Sequence, residues 1–238
     1  MGYCEHPAPS ALQRWVECAW TIDSASAAEH RVPPDGCVDL VYGRESGLRA
    51  VGTMTVEQRF RFRQGSSLTG VRFRPGMAAA FLGVAPSELT DKSIALEDLW
   101  ALRAREIARK LDEAKTIFEA MRILISNLPR PEAPPNPVQR AIEAVTAARG
   151  RADLEDTANQ ANLSPRQFRR RCLEESGLTP KRLCRVLRFR HACDLAHASR
   201  RPDWPAIALE AEYFDQAHMI RDFQEFTGLT PMAVFSNT

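Results

Sequence analysis

The chain has 238 residues, of which 44% are hydrophobic and 26% are charged, and its formal net charge is +2. This apolar content excludes a wholly disordered chain, and the length allows one large domain or two modest ones. Neither an apolar run of the roughly 20 residues that cross a bilayer nor a basic-then-hydrophobic leader is visible, which predicts a cytoplasmic protein without a membrane partner.

The N-terminal part of the chain has residue patterns typical of β-strands. A turn at residues 32–36, rich in proline and glycine, precedes residues 37–42, where apolar and polar side chains alternate. Residues 60–63 and 68–76 have similar character. We therefore predict a small β-barrel or sandwich in this part of the chain.

From residue 77 onwards the apolar residues recur at helical spacing. Leucine, isoleucine and tryptophan follow this spacing from Leu96 to Leu128, which predicts helices over about 97–128. Their apolar stripes are candidates for a homodimer surface, or they pack within the molecule. Residues 1–128 are thus predicted to form one domain of the α+β class, with strands first and helices after.

Four polar side chains on the predicted strands are candidates for a ligand pocket, because polar groups that face the inside of a barrel need a partner. They are Asp39, Tyr42, Arg72 and Arg74. Alternatively, they face solvent or pair with one another. The histidines of this part are His6 and His30, 24 residues apart, so we expect no metal site, no cofactor and no metal-dependent catalysis.

Six cysteines are scattered along the chain without a C-x-x-C pair. This pattern favours free buried thiols, because a disulfide framework is denser and a zinc site needs closer ligand spacing. A redox or thiol-binding sensor built on Cys4, Cys18 and Cys37 is the alternative.

Five prolines fall between residues 129 and 137, which predicts an extended linker, because proline lacks a backbone donor and disfavours helix in the residue before it.

In the part that follows, residues 138–238, the charges are segregated. Residues 166–190 hold nine basic residues against two acidic ones, and residues 203–226 hold six acidic residues against one basic one. Such a basic patch indicates a polyanion-binding surface or a solvated helix face.

The C-terminal part contains an internal repeat. The tetrapeptide Gly-Leu-Thr-Pro occurs at residues 177–180 and again at residues 228–231, and similar residues precede both copies. Each copy has the pattern of a helix, a tight turn and a second helix. We therefore predict an all-α domain with two helix-turn-helix motifs, at about 153–176 and 205–227, joined by a long helix over about 180–198.

Capping residues mark the helix boundaries of the first copy. Asp153 and Ser164 are predicted N-caps, and Asn162 tolerates the left-handed conformation that ends a helix. Gly177 is expected to end the second helix of the motif, and Thr179 to cap the long helix.

The second helix of this copy is predicted to present its arginines to solvent. Phe168 and Cys172 share an inward face, so the arginines around them point away from it. In a helix-turn-helix motif such residues contact base edges and phosphates of the major groove. The candidate DNA-binding residues of this copy and of the long helix are Arg166, Arg169, Arg170, Lys181 and Arg185.

Residues 207–231 have the pattern I-A-x-x-x-E-Y-F-D-Q-A-H-M-x-R-x-F-x-x-x-T-G-L-T-P, and residues 163–170 have the pattern L-S-P-R-x-F-x-R. On these motifs, residues 138–235 resemble the DNA-binding domain of the AraC/XylS family of bacterial transcription regulators. The resemblance implies double-stranded DNA and RNA polymerase as partners and an association with the nucleoid. It also implies base-facing roles for Arg166, Arg169 and Arg170 in the first motif and for Gln216, His218 and Arg221 in the second.

The chain departs from this family pattern at three positions. Glu212 stands where the turn of the second motif normally has glycine, Cys172 where a large apolar residue is usual, and Arg171 where an aliphatic one is usual. Together with the acidic second copy, these departures predict that the first motif dominates the affinity for DNA. His218 alternatively packs in the turn, and Arg221 alternatively pairs with a nearby acid or a phosphate.

Three segments of the N-terminal part carry a second resemblance. They read P-D-G-C-V-D-L at 34–40, G-V-R-F-R-P-G at 70–76, and L-T-D at 89–91 before L-E-D-L-W at 96–100. Residues 5–128 are similar to an uncharacterised, cupin-like domain found fused to AraC-type regulators. The resemblance implies that residues 1–128 sense a small effector.

The expected function is therefore sequence-specific transcription regulation, controlled by a small effector or by dimerisation through the N-terminal domain. The protein is not expected to be an enzyme. One alternative is a DNA-repair or alkyl-transfer protein in which Cys37 is the acceptor. Another is a protein-interaction adaptor with a vestigial DNA-binding motif.

Overall fold

A computed structural model describes residues 2–131 and 133–236. The strands are β1 Gly2–Pro7, β2 Val16–Asp23, β3 Ala28–Val32, β4 Val38–Gly43, β5 Gly47–Val51, β6 Gln58–Phe62, β7 Ser67–Phe73 and β8 Ser93–Ala95. Six of them form an antiparallel sheet in the order β1-β2-β7-β4-β5-β8, and β3 pairs with β6 in a second, small sheet. Because β1 and β8 lie at opposite ends of the large sheet, the sheet is open, and the predicted barrel does not close.

Short helices follow and interrupt the last strands. They are α1 Ala79–Leu82, α2 Pro86–Leu89, α3 Glu97–Trp100, α4 Leu102–Asp112 and α5 Ile117–Ser126. The prediction of helices over about 97–128 is confirmed by α3, α4 and α5. Ala101, with a positive φ of 43°, separates α3 from α4.

Side-chain alternation gives the large sheet two different faces. On β4, Leu40 and Tyr42 point to one face, which packs against α4 and α5 to form the main core of this part. On β2, Trp20 and Ile22 point to the other face, where they pack with Phe62 of the small sheet. The second face therefore carries a separate and smaller apolar cluster.

Gly70 on β7 makes room for the indole of Trp20. The two residues are partners in the register of β2 and β7, and a Cβ at position 70 would overlap the indole ring. The indole N–H donates to Oδ1 of Asp39 at 2.8 Å. Glycine inside a strand commonly marks such a close approach.

Gly70→Ala is expected to displace the Trp20 ring and to lower the free energy of unfolding by about 2 kcal/mol, because an added methyl group overpacks this site. Urea unfolding measures the change. Gly2→Ala is the control, since a Cβ at position 2 meets no atom within 4 Å. Equal stability of the two variants would show that the close approach does not constrain the fold.

The C-terminal part is helical. Its helices are α6 Pro137–Ala147, α7 Leu154–Gln160, α8 Pro165–Ser176, α9 Pro180–His197, α10 Trp204–Glu210, α11 Gln216–Thr227 and α12 Pro231–Phe235. The predicted N-caps are confirmed, because Asp153, Ser164 and Thr179 each accept a backbone N–H at the start of α7, α8 and α9. A helical C-terminal part after a sheet-rich N-terminal part is the predicted fold class.

Helix α9 lies at the centre of the C-terminal part. The ring of Phe189 on α9 is buried, and its centroid lies 4.7 Å from that of Phe223 and 5.2 Å from that of Phe226, both on α11. Leu183 and Leu187 on the same helix are buried in this core. The predicted long helix therefore joins the two halves of the repeat by direct packing.

The end of α8 is hydrogen-bonded to the N-terminal part. Thr53 donates to the carbonyl of Ser176 at 2.8 Å, and Thr90 donates to the carbonyl of Gly177 at 3.1 Å. Gly177 has a φ of 77°, and a Cβ there would lie 2.7 Å from Oγ1 of Thr90. Glycine is therefore required at this position both for the helix end and for the close contact.

Two further contacts join the parts of the chain. The N–H of Glu57 donates to the carbonyl of Phe226 at 2.7 Å, near the end of α11. Arg182 on α9 donates to the carbonyl of Thr55 at 2.7 Å and forms an ion pair with Glu225. The ends of both α8 and α11 are thus held against the same N-terminal loops.

Candidate nucleic-acid interface and ligand cavity

The two halves of the repeat have the same local geometry. The turn residues Asn162 and Glu212 both adopt the left-handed conformation, with φ of 55° and 56°. In both copies the following residue donates its N–H to a carbonyl five residues earlier at 2.9 Å. Ser164 and Asp215 then cap the second helix of each motif. The predicted duplication is therefore present down to individual hydrogen bonds.

Helix α8 has one buried face and one strongly basic face. Phe168, Cys172 and Ser176 are buried, and the arginines at positions 166 and 169–171 are exposed. Arg170 lies 3.8 Å from Glu174 in an exposed pair. Within the described residues, Arg166 and Arg169 form no ion pair. Their guanidinium groups are therefore free to meet an external acceptor.

Helix α11 presents fewer cations. Gln216 and Arg221 are exposed, and Arg221 contacts the carbonyl of Ala217 on its own helix. The ring of His218 packs edge-on against Tyr213, with centroids 5.4 Å apart. His218 thus packs in the turn and is half-buried, and its role towards DNA stays a prediction.

Arg185 on α9 has a partner that was not predicted. Its guanidinium donates to Oδ1 of Asp222 at 2.6 Å and pairs with Glu225, both on α11. Hydrogen bonds from Arg185 hold the pKa of Glu225 below its usual value. Arg185 was predicted to contact DNA, and this prediction is corrected, because its guanidinium is already paired with these two acids. The same prediction for Lys181 stands, since Lys181 is exposed.

A cavity of about 490 Å³ lies between the second face of the large sheet, the small sheet and α9. Its wall is mainly apolar and includes Trp20, Phe60 and Phe62 from the strands. Helix α9 contributes Phe189, Arg190 and Cys193, among others, to the same wall. The cavity therefore touches both the N-terminal part and the helix that joins the two helix-turn-helix motifs.

Two of the four predicted pocket residues, Asp39 and Arg72, line this cavity. Tyr42 does not, because three residues along β4 bring it to the opposite face, where its hydroxyl donates to Asp112 at 2.7 Å. Arg74 lies beyond the end of β7 and donates to the carbonyl of Gln13 at 2.9 Å. Tyr42 and Arg74 therefore do not line this cavity, and of the four predicted residues it brings together Asp39 and Arg72.

Asp39 and Arg72 also pair with each other, at 3.4 Å between Oδ1 and Nε, and Arg72 lies 3.3 Å from Asp35. Burial raises the pKa of Asp39 to about 6, and the charges of Asp35 and Glu17 add to this effect while Arg72 opposes it. Asp39 and Arg72 thus line the cavity and also pair with each other.

Two family profiles match the chain. Residues 157–237 match a family described as a helix-turn-helix domain, and residues 4–95 match one described as a domain of unknown function (DUF6597). The C-terminal part is an AraC-type helix-turn-helix domain. The chain is accordingly a DNA-binding transcription regulator, with the AraC-type domain following a sheet-rich one.

Solved structures similar to the chain include those of ToxT from Vibrio cholerae. An apo variant of ToxT is 12% identical, with a TM-score of 0.45, over 91% of this chain and 96% of that one. A ToxT structure with a bound unsaturated fatty acid is 10% identical, with a TM-score of 0.43, over 91% and 93% of the two chains. No curated protein matches the chain.

Cys37, the alternative acceptor residue, is buried beside the AraC-type domain. Its thiol donates to Oε2 of Glu17 at 3.5 Å. Burial raises the pKa of Cys37, and the charges of Asp35 and Glu17 raise it further. A nucleophilic cysteine needs a lowered pKa and access to its substrate, so this geometry does not favour alkyl transfer. The expected free thiols are found, although Cys4 is exposed rather than buried.

No group of three or more His, Cys, Asp or Glu side chains within residues 2–131 and 133–236 is placed to hold a metal ion. In the same ranges, no helix combines the length and the apolar character needed to cross a membrane.

Replacing Glu212 by glycine is expected to raise the free energy of unfolding by about 1 kcal/mol, because a left-handed residue with a Cβ is strained. The exposed ion pair with Arg151, at 3.0 Å, contributes little against this gain. Thermal unfolding measures the change. Glu174→Gly, inside α8, is the matched control and should lower stability by about the same amount. Equal destabilisation by Glu212→Gly and Glu174→Gly would show that the left-handed conformation of Glu212 is not strained.

The raised pKa of Asp39 predicts a pH-dependent contribution to stability. A carboxyl group whose pKa is higher in the folded than in the unfolded protein stabilises the fold when protonated. This contribution is complete below the unfolded pKa of about 4 and is lost as the pH rises through about 6. The free energy of unfolding of the wild type should therefore rise relative to that of Asp39→Asn between about pH 7 and pH 4.5. A difference that does not change with pH would contradict this assignment.

Proposed function

We propose that the protein recognises specific DNA sequences mainly through α8, in the bacterial cytoplasm. The observation that carries this proposal is that Arg166 and Arg169, near the start of α8, are exposed and form no ion pair within the described residues. The planar guanidinium fork of arginine suits the O6 and N7 acceptors of guanine in the major groove. Lys181 and Arg170 are also exposed. The proposal assigns them to phosphates, which fix orientation without specifying sequence.

Helix α11 is proposed to add contacts of lower affinity through Gln216 and Arg221. It offers one exposed arginine, and the other charges nearby are acidic. The acids Asp222 and Glu225 are neutralised by Arg185 and Arg182 on α9, so they do not repel phosphates at full strength. The first motif is therefore expected to supply most of the binding energy.

We further propose that a small effector in the cavity controls the AraC-type domain. A molecule in the cavity would touch Phe189, whose ring packs against Phe223 and Phe226 of α11. A ligand shifts an equilibrium only if it binds one arrangement more tightly than another. A ligand in direct contact with α9 would bind differently to two arrangements that differ in the position of this helix. Contacts with RNA polymerase and formation of a homodimer stay predictions.

Substituting Arg166 or Arg169 by alanine is expected to weaken binding to a cognate site by about 1–3 kcal/mol each and to relax sequence preference. A cognate site is first selected from a random duplex pool, and fluorescence anisotropy then measures affinity at fixed salt concentration. Arg63→Ala is the control, because Arg63 is a similarly exposed arginine of the small-sheet region. Unchanged affinity in the Arg166/Arg169 double variant would remove α8 from the interface.

A further inference from the structure

One end of the cavity holds more carboxylates than guanidinium groups. The wall at this end includes the carboxylates of Glu5, Asp35 and Asp39 and the guanidinium groups of Arg72 and Arg190. A fourth carboxylate, that of Glu17, does not line the cavity but pairs with Arg190. Arg72 lies 3.3 to 3.6 Å from three of the four, and Arg190 pairs with Glu17. The wall also contains Arg31, but Glu57 pairs with it at 2.8 Å. This end of the cavity thus has an excess of negative charge.

An aromatic wall adjoins this acidic end. The ring centroid of Tyr3 lies 6.2 Å from that of Trp20 and 6.3 Å from that of His30. The ring centroids of His30 and Phe62 are 6.2 Å apart. Burial, with the charge of Arg72, lowers the pKa of His30, so its ring adds no positive charge at neutral pH. Aromatic faces attract cations, and the attraction is stronger when the cation is desolvated.

We propose that this cavity binds a lipophilic cation, meaning an apolar, aromatic molecule with a permanent positive charge. The charge would lie beside Asp39 and Asp35, and the apolar body would contact the aromatic wall and Phe189 of α9. An anionic ligand would instead add to the existing excess of carboxylates. The cavity volume, about 490 Å³, is in the range of small-molecule sites. The proposal rests on the effector role proposed above for the same cavity.

The first test compares two ions of nearly the same shape and opposite charge, tetraphenylphosphonium and tetraphenylborate. Isothermal titration calorimetry on the full chain above neutral pH measures both. The cation is expected to bind at least about tenfold more tightly than the anion. Equal or tighter binding of tetraphenylborate, or binding of neither ion, would overturn the proposal.

The second test removes one charge without changing shape. Asp39→Asn can still accept the indole N–H of Trp20, and it is expected to weaken tetraphenylphosphonium binding about tenfold. Asp112→Asn is the matched control, because Asp112 bonds to Tyr42 on the opposite face of the sheet. The control should bind the cation as the wild type does. Equal affinities in the wild type and the Asp39 variant, or equal losses in both variants, would contradict the proposal.

The same samples separate this proposal from the effector role. DNA affinity is measured with and without tetraphenylphosphonium. If the cation binds through Asp39 and DNA affinity stays constant, the cavity chemistry is supported and control of DNA binding fails. If no cation binds while DNA recognition still depends on Arg166 and Arg169, the cation proposal fails and the DNA-binding function is unaffected.

Discussion

Helix α9 is packed on two sides, and the arrangement of the whole molecule depends on this. On one side, Phe189 and the ion pairs of Arg182 and Arg185 fix it to α11. On the other side, Arg190 pairs with Glu17 of the large sheet, and although burial opposes it, this pairing keeps the pKa of Glu17 below its usual value. Breaking this partly buried pair is unfavourable, because each charge is then left without its partner. Helix α9 thus cannot move relative to one side without disturbing the other.

The contacts at the ends of α8 and α11 extend this constraint to both recognition helices. Loops of the N-terminal part hydrogen-bond to the carbonyls of Ser176, Gly177 and Phe226. These carbonyls lie near helix ends, where backbone acceptors lack partners within the helix. The sheet-rich part therefore supplies hydrogen-bond donors to the carbonyls at the helix ends and, through the same contacts, sets the orientation of α8 and α11. The cavity lies between the same elements, so the effector proposed for it would contact the elements that set this orientation.

Local signals in the sequence predicted the helical part well. The caps at Asp153, Ser164 and Thr179 and the left-handed turn at Asn162 depend on neighbouring residues, so the sequence pattern was sufficient. Strand β2 was missed, because nearly all of Val16–Asp23 is buried and the alternation that marks a half-buried strand is lost. The charges that neutralise Arg185 come from residues 37 and 40 positions away, which no local pattern reveals.

The cavity was only partly predictable. The period of two along β4 could have separated Asp39 from Tyr42, because an odd spacing puts two residues on opposite faces. The contributions of α9 could not have been predicted, since they depend on how the two parts of the chain pack. Gly70 is similar, because its role follows from the position of Trp20 on a neighbouring strand.

Differential scanning calorimetry of the full chain tests most directly whether the two parts form one packed body. The contacts of α9 predict a single unfolding transition in which the calorimetric and van't Hoff enthalpies agree. Two resolved transitions would show that the sheet-rich and helical parts unfold independently. In that case neither the orientation of the recognition helices nor the shared cavity could depend on the packing of α9.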